Sequence, residues 1–302
     1  MRTVVLLDGG MGQELIARSK QPPHPLWSAK VMMDEPETVR AVHEDYLRAG
    51  ARVLTLNSYS ATPERLEAAG LADMFVPLQR AAVDAVKAAI GAVGVDAAVA
   101  GCLPPLVASY RPDLALPYER SLDLYHRIVA EQADHVDVFL CETLGSVVEV
   151  RAAATAAAES GRPVWMAMTL KDGGDAELRS GEPLADGIAA AIDCGVSAVL
   201  ANCSFPETIS DALDDLAASG LPWGAYANGF TGIEKLQPGG TVKEMEARDD
   251  LGPDRYCDWA FETLEHGASI TGGCCEVGPA HIAAIARRLE AERFEIAKEL
   301  HA

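Results

Sequence analysis

Two adjacent cysteines, Cys274 and Cys275, follow two glycines in the stretch ITGGCCEVGP at residues 270–279. Neighbouring cysteines rarely reach the geometry of a disulfide bond, so a bridge between them is a poor explanation. Two small buried hydrophobic residues are one interpretation. The other is a pair of thiolates directed at one metal ion, because glycines allow the backbone to turn closely enough for both side chains to point inward.

The elements that would position this pair alternate regularly along the chain. Short apolar segments predict eight strands, at 3–7, 52–56, 97–101, 136–140, 164–168, 197–201, 223–227 and 268–272. Segments with helical periodicity lie between most of them, and the clearest end on glycines, at 35–50, 149–161, 183–195 and 208–220. This alternation over 302 residues predicts a single-domain (β/α)8 barrel spanning residues 1–302.

A doubly wound open sheet is the alternative architecture. It requires a glycine-rich phosphate turn after the first strand, and the glycines of LLDGGMGQEL do not have the spacing of the dinucleotide fingerprint. The long polar segment 229–256 is predicted to be an extended loop after the seventh strand that covers the site.

Polar residues cluster where the predicted strands end, which is where (β/α)8 barrels carry their chemistry. In chain order they are Asp8, Gly9, Gly10, Asn57, Cys102, Cys141, Glu142, Thr169, Asn202, Cys203, Asn228, Cys274 and Cys275. Cys203 is the natural third thiolate, because it lies on the same rim two strands before the pair. Three thiolates that leave one position open are typical of a reactive zinc site, and soft sulfur ligands favour Zn²⁺ over magnesium or calcium.

The other four cysteines, Cys102, Cys141, Cys194 and Cys257, are predicted to pack in the core. No histidine lies at a predicted strand end, so a cysteine–histidine dyad is not indicated. The formal charge of −20, without a basic cluster, argues against nucleic acid and anionic membranes as partners. Seven cysteines without an export signal predict a cytoplasmic protein.

Taken together, these residues resemble the homocysteine S-methyltransferase family of zinc-thiolate enzymes. The resemblance runs along nearly the whole chain, and its most specific part is the NC of ANCS (201–204) followed by the GGCC of 272–275. Further support comes from LLDGGMGQEL (6–15), LWSAKVMMDEPE (26–37), HEDYLRAGARVLTLNSYSAT (43–62), CETL (141–144), the TLKD and LRSGEPL pieces of 169–184, and YANG (226–229).

The resemblance implies a Zn²⁺ ion held by Cys203, Cys274 and Cys275, with homocysteine bound through its sulfur at the open position. These cysteines would act in catalysis by activating the substrate thiol. Glu142 matches the acidic residue that holds the amino group of homocysteine. The remaining implied pocket residues are Asp8, Gly9, Gly10, Asn57, Thr169, Asn202 and Asn228. Asn228 is also a candidate for a side-chain oxygen that occupies the open position at rest, whereas a turn cap for Asp8 and a backbone-holding role for Asn57 and Asn202 remain open.

The resemblance implies methyl transfer from a small sulfonium donor, of the S-methylmethionine or S-adenosylmethionine type, to homocysteine, which gives methionine. LWSAK and the pair Glu142–Thr143 are more similar to the S-methylmethionine branch than to the betaine branch. Three segments depart from the family pattern, at 101–113, at YANG and at EVGP, and the first of them bears on substrate identity. Another donor, another thiol or selenol acceptor, and a non-catalytic zinc- or thiol-binding barrel remain as alternatives.

Overall fold

The computed structural model describes residues 2–22, 24–233 and 245–300. Within them the strands are β1 (Thr3–Leu6), β2 (Val53–Thr55), β3 (Ala98–Leu103), β4 (Val138–Leu144), β5 (Val164–Met168), β6 (Ala198–Asn202), β7 (Trp223–Tyr226), β8 (Ile270–Thr271) and β9 (Glu295–Ala297). The α-helices are α1 (Met11–Arg18), α2 (Trp27–Asp34), α3 (Pro36–Ala49), α4 (Pro63–Ala68), α5 (Phe75–Val93), α6 (Tyr118–Gln132), α7 (Val147–Ala158), α8 (Leu184–Asp193), α9 (Pro206–Ser210), α10 (Leu213–Ala217), α11 (Pro253–His266) and α12 (Pro279–Ala291).

The strands form one parallel sheet in the order β2-β3-β4-β5-β6-β7-β8-β1-β9. A parallel bridge between Leu7 and Val53 joins the end of β1 to β2. Two backbone hydrogen bonds support this closure, from the Asp8 amide to the Val53 carbonyl (3.1 Å) and from the Arg52 amide to the Leu6 carbonyl (2.9 Å). The sheet therefore closes on itself, which confirms the predicted barrel and excludes the open doubly wound sheet.

Alternating residues of each strand face opposite sides of the barrel wall. Val5, Leu140 and Trp165 belong to the cluster that fills the interior. Their strand neighbours, such as Val4 and Phe139, belong to the larger cluster packed under the helices. This period-two burial explains why the predicted strands read as continuous apolar runs, because both faces of a parallel barrel strand are covered.

The C-terminal end differs from the prediction. β9 pairs with the first residues of β1, in register Thr3 to Glu295, and it was not predicted because a three-residue segment carries too little periodicity. Leu300 then packs against the barrel interior cluster. β9 and Leu300 thus close the end of the barrel opposite the polar strand ends.

Two other predicted elements were wrong in part. The predicted helix 208–220 is divided into α9 and α10, and the carbonyl of Pro206 accepts hydrogen bonds from the Ser210 hydroxyl (2.9 Å) and the Trp259 indole (3.1 Å). Side-chain bonds of this kind compete with the regular helical pattern. The predicted loop 229–256 ends early, because Pro253 begins α11 at its first turn. Residues 234–244 of that loop lie outside the described residues.

No helix in the described part of the chain combines the length and the apolar character needed to span a bilayer.

Candidate metal centre and substrate pocket

Three cysteine sulfurs converge at the carboxyl ends of the strands. Cys203 directly follows β6, and Cys274 and Cys275 follow β8. The Sγ–Sγ distances are 2.7 Å for Cys203–Cys274, 3.8 Å for Cys203–Cys275 and 4.0 Å for Cys274–Cys275. The structure therefore brings together all three cysteines that the sequence analysis assigned to a metal.

The sulfur–sulfur distances fit a tetrahedral metal centre, except that one pair of sulfurs is too close. Metal–sulfur bonds of about 2.3 Å at tetrahedral angles separate two ligand sulfurs by about 3.7 Å. The distances from Cys275 to the other two sulfurs, 3.8 Å and 4.0 Å, are close to this value. The Cys203–Cys274 pair, at 2.7 Å, would have to separate by about 1 Å when a metal binds. Three sulfur donors fit a soft divalent metal and leave a fourth position for another ligand.

Two glycines that follow β1 allow the cysteine turn after β8 to pack closely against this strand end. A Cβ on Gly9 would lie 2.1 Å from the Val277 carbonyl oxygen, and one on Gly10 would lie 2.6 Å from the Cys274 carbonyl oxygen. The Gly10 amide also donates to the Val277 carbonyl at 2.9 Å. The DGG turn after β1 is therefore packed directly against the backbone of the cysteine turn, and only glycine fits there.

Cys203 itself has an uncommon backbone conformation, with a φ of +50°. Its amide donates to the Tyr226 carbonyl at 3.1 Å. Thr143, two strands away on the same rim and hydrogen-bonded to Asn202, has a φ of +62°. Left-handed residues other than glycine are costly and concentrate at functional sites, so their presence here agrees with a site built for binding rather than for maximal stability.

The cysteines form one wall of a cavity of about 110 Å³ at the mouth of the barrel. Asp8 and Glu142 also line it, and its aromatic residues are Trp27, Tyr59, Tyr110, Tyr226 and Phe230. No lysine, arginine or histidine is found among the described residues that line the cavity. Two carboxylates and several aromatic rings without a basic residue favour ligands that carry positive charge.

Both carboxylates have strongly perturbed acidity. Burial raises the pKa of Asp8 to about 8, although hydrogen bonds from the Thr55 amide (3.0 Å) and hydroxyl (3.3 Å) oppose the shift. Burial likewise raises the pKa of Glu142 to about 7, with an opposing hydrogen bond from the Cys102 thiol at 3.0 Å. Carboxylates with such raised pKa values at a cavity are candidates for binding or catalysis, since a cationic ligand restores the ionised form.

The other residues implied by the resemblance divide into two groups. Gly9, Gly10 and Asn57 line the cavity together with the two carboxylates. Asn57 donates its amide to the Ser28 carbonyl at 3.3 Å, so it also holds the start of α2 beside the pocket. Thr169, Asn202 and Asn228 are fully buried behind the lining and do not face the cavity.

These three buried residues support the rim from behind. Asn202 forms two hydrogen bonds of 2.9 Å with the amide and hydroxyl of Thr143. The Thr169 hydroxyl donates to the Cys203 carbonyl at 3.2 Å. The Oδ1 of Asn228 accepts the Phe230 amide at 3.2 Å, so this oxygen holds the backbone after β7.

Two side chains of the segment 101–113 enter the site without having been assigned to it. Cys102, predicted to pack in the core, donates its thiol to Glu142. The Tyr110 hydroxyl lies 2.8 Å from the Cys203 sulfur. The only signal in the sequence was that this segment departs from the family pattern, and that departure did not indicate which residues reach the pocket.

The fold and the site together define a (β/α)8-barrel protein with a thiolate metal centre beside a carboxylate-lined pocket. The profile of the family described as homocysteine S-methyltransferase matches residues 5–289. The chain belongs to the homocysteine S-methyltransferase family, and the resemblance seen in the sequence is confirmed.

Individual relatives agree over nearly the full length. The chain is 32% identical to the homocysteine S-methyltransferase of Escherichia coli (strain K12), over 94% of this chain and 95% of that protein. It is 29% identical to the selenocysteine Se-methyltransferase of Brassica oleracea var. italica, over 95% of this chain and 89% of that protein. The homocysteine methyltransferase MmuM from Escherichia coli, solved in a metallated form, superposes with a TM-score of 0.79 at 30% identity, covering 95% of this chain and 96% of that one.

Membership in an enzyme family identifies this protein as a methyltransferase, and the non-catalytic storage or sensor barrel is thereby set aside. The metallated form of the MmuM structure and the convergence of three cysteines here both indicate a metal-dependent enzyme.

Proposed function

We propose that this enzyme transfers a methyl group from a small sulfonium donor to the thiol of homocysteine, with Zn²⁺ held by Cys203, Cys274 and Cys275. The observation that carries the proposal is the convergence of three sulfurs beside the buried carboxylate of Asp8 and the half-buried carboxylate of Glu142 in one cavity. The whole chain, residues 1–302, would act as one catalytic domain.

Zinc is the metal that the donor set favours, because sulfur ligands select it over magnesium or calcium and tetrahedral geometry suits it. When bound, zinc would keep the substrate thiol deprotonated at neutral pH, so that no general base is needed. The absence of a histidine from the described cavity lining agrees with a mechanism that needs none.

The carboxylates are suited to hold the amino group of homocysteine. Glu142 lies within β4 and Asp8 follows the end of β1, so the two face one cavity from different strands. An ammonium group placed between them would form charge-assisted hydrogen bonds and favour their ionised forms. Anchoring the amino group of homocysteine fixes the position of its sulfur relative to the cysteines. Such positioning of the reacting atom lowers the barrier to methyl transfer.

The cavity lining also supports a cationic methyl donor. A sulfonium ion carries its positive charge until the methyl group leaves, and aromatic rings such as Trp27 and Phe230 attract a cation without forming a bond that must be broken. A donor with several negative charges would meet Asp8 and Glu142 and no basic side chain among the described lining residues. Betaine is also a cation, so donor assays have to separate it from the sulfonium compounds.

Zinc content is the first measurement. Reduced protein purified without oxygen is expected to carry one zinc per chain, and Cys203→Ser is expected to lose it or bind it far more weakly. Cys194→Ser is the matched control, because Cys194 lies at the end of α8 and contacts Thr155 rather than the metal centre. A zinc content that does not depend on Cys203 would contradict the proposed centre.

Substrate assays test the rest of the proposal. Homocysteine should be methylated with S-methylmethionine or S-adenosylmethionine and not with betaine. Selenocysteine is the second acceptor to test, because one relative is named for that activity. Turnover of selenocysteine with homocysteine inactive would reassign the acceptor, and turnover with betaine alone would contradict the sulfonium donor.

A further inference from the structure

The segment that follows β3 places an aromatic ring directly against the metal centre. The Tyr110 hydroxyl oxygen lies 2.8 Å from the Sγ of Cys203, which is within hydrogen-bonding distance. The Tyr110 side chain packs in a small apolar cluster with Phe230 and Cys275, and it lines the cavity together with the three cysteines.

An arginine holds the ring from its other side. The guanidinium of Arg179 lies 4.9 Å from the centre of the Tyr110 ring, in cation–π geometry. Only 8% of the Arg179 side chain is exposed, and Asp172 accepts two hydrogen bonds from it, at 3.0 Å and 3.3 Å. A paired and buried arginine is a rigid support, so it fixes the position of the tyrosine ring.

The same arginine is connected to Cys203 by a second route. Its Nε donates to the Thr169 hydroxyl at 3.1 Å, and that hydroxyl donates to the Cys203 carbonyl at 3.2 Å. Arg179 thus supports both the backbone of Cys203 and the ring whose hydroxyl reaches the Cys203 sulfur. Several contacts, and not the torsion of one side chain alone, therefore hold the Tyr110 hydroxyl 2.8 Å from the Cys203 sulfur.

We propose that Tyr110 is a positioning residue that donates a hydrogen bond to the Cys203 sulfur in the metal-loaded enzyme, with Arg179 holding its ring. A tyrosine hydroxyl is a donor at neutral pH, and a thiolate ligand has lone pairs free to accept. Hydrogen bonds to metal ligands orient them and tune the metal, and their loss typically lowers metal affinity about 10- to 100-fold. This inference rests on the proposed metal centre.

The test uses the full chain loaded with Zn²⁺ or with Co²⁺ and compares Tyr110→Phe with Tyr59→Phe. Tyr59 is the matched control because it lines the same cavity but its hydroxyl contacts Ser109 (2.8 Å) rather than a cysteine. Tyr110→Phe is expected to release zinc to a chelator at least about tenfold faster. In the cobalt form, the sulfur-to-cobalt charge-transfer band should move to longer wavelength, because a thiolate without a hydrogen bond is a stronger electron donor.

Tyr59→Phe should leave both readouts as in the wild type, and Arg179→Gln should shift them in the same direction as Tyr110→Phe by a smaller amount. Unchanged release and spectrum in Tyr110→Phe, or equal changes in the two tyrosine variants, would overturn the proposal. A change in the coordination number of cobalt, read from the intensity of its ligand-field bands, would also overturn it, since the hydroxyl would then be a ligand itself. A wild type that binds no metal through Cys203 would instead reject the proposed metal centre, and this inference with it.

Discussion

The cysteine wall of the pocket, formed by Cys203, Cys274 and Cys275, is held by close backbone packing, whereas the carboxylate wall, formed by Asp8 and Glu142, is held by a few side-chain hydrogen bonds. The glycines after β1 pack so closely against the backbone of the cysteine turn that a Cβ on either of them would clash with it. The carboxylates are instead shaped by burial, which shifts their acidity towards neutral pH. Steric changes should therefore damage the first wall, and changes of charge or pH should affect the second.

The largest effect is expected from Gly9→Ala. The new Cβ would lie 2.1 Å from the Val277 carbonyl and 2.9 Å from the Tyr46 ring, so the cysteine turn must move. We expect loss of bound zinc and a decrease in the free energy of unfolding of about 1–3 kcal/mol. Zinc analysis and urea unfolding measure the two effects. Gly12→Ala is the control, because its Cβ would meet nothing within 4 Å; equal zinc loss in both variants would show that packing is not the cause.

Glu142→Gln should separate the two walls. The substitution removes the charge that would pair with the homocysteine ammonium, so homocysteine affinity should fall about 10- to 100-fold while zinc content stays the same. Calorimetric titration and metal analysis measure these quantities. The same substitution at Glu159, which is exposed and pairs with His126 at 2.8 Å, should change neither. Loss of zinc in Glu142→Gln would mean that the carboxylate supports the metal centre instead.

The raised pKa values of the carboxylate wall also make a prediction about stability and pH. The folded-state pKa values of about 8 for Asp8 and about 7 for Glu142 exceed the ordinary values of 3.8 and 4.5. At a pH between its unfolded and its folded pKa, each group binds more protons in the folded chain than in the unfolded chain. The two groups therefore make the free energy of unfolding fall as the pH rises through this range. Without substrate, Asp8→Asn should therefore have a larger stability advantage over the wild type at pH 8 than at pH 5.

Urea unfolding at the two pH values tests this expectation, and subtracting the wild-type curve removes the contribution of groups that do not interact with Asp8. A stability difference that does not change between pH 5 and pH 8 would show that Asp8 is ionised in the folded protein.

The smallest effect is expected at Cys102. Cys102→Ala removes the thiol that donates to Glu142, so the carboxylate loses a hydrogen bond that favours its ionised form. Homocysteine affinity should decrease about two- to tenfold. Cys102→Ser keeps a donor at the same position and should restore most of the affinity. Equal losses in both variants would indicate that Cys102 acts by packing, as the sequence alone suggested.

Local patterns account for the parts of the prediction that held. The eight central strands were recognised because parallel barrel strands are apolar on both faces, and this feature is visible in any short segment. The position of Cys203, Cys274 and Cys275 followed from the rule that strand ends meet on one rim. The division of 208–220 into two helices had no local signal, and the contact found beside it, from the Trp259 indole to the Pro206 carbonyl, joins residues 53 positions apart.

The sequence by itself determined the fold class, the family and the cysteines of the candidate metal centre, because periodic hydrophobicity and the NC and GGCC motifs are local properties of the chain. Only the tertiary structure decided which further side chains contact the cysteines and the carboxylates of the pocket. Cys102 meets Glu142 across 40 residues, and Tyr110 meets Cys203 across 93 residues. Closure of the barrel makes both contacts, and it also buries the two carboxylates deeply enough to change their acidity, because desolvation depends on everything packed around a group and not on its neighbours in the chain.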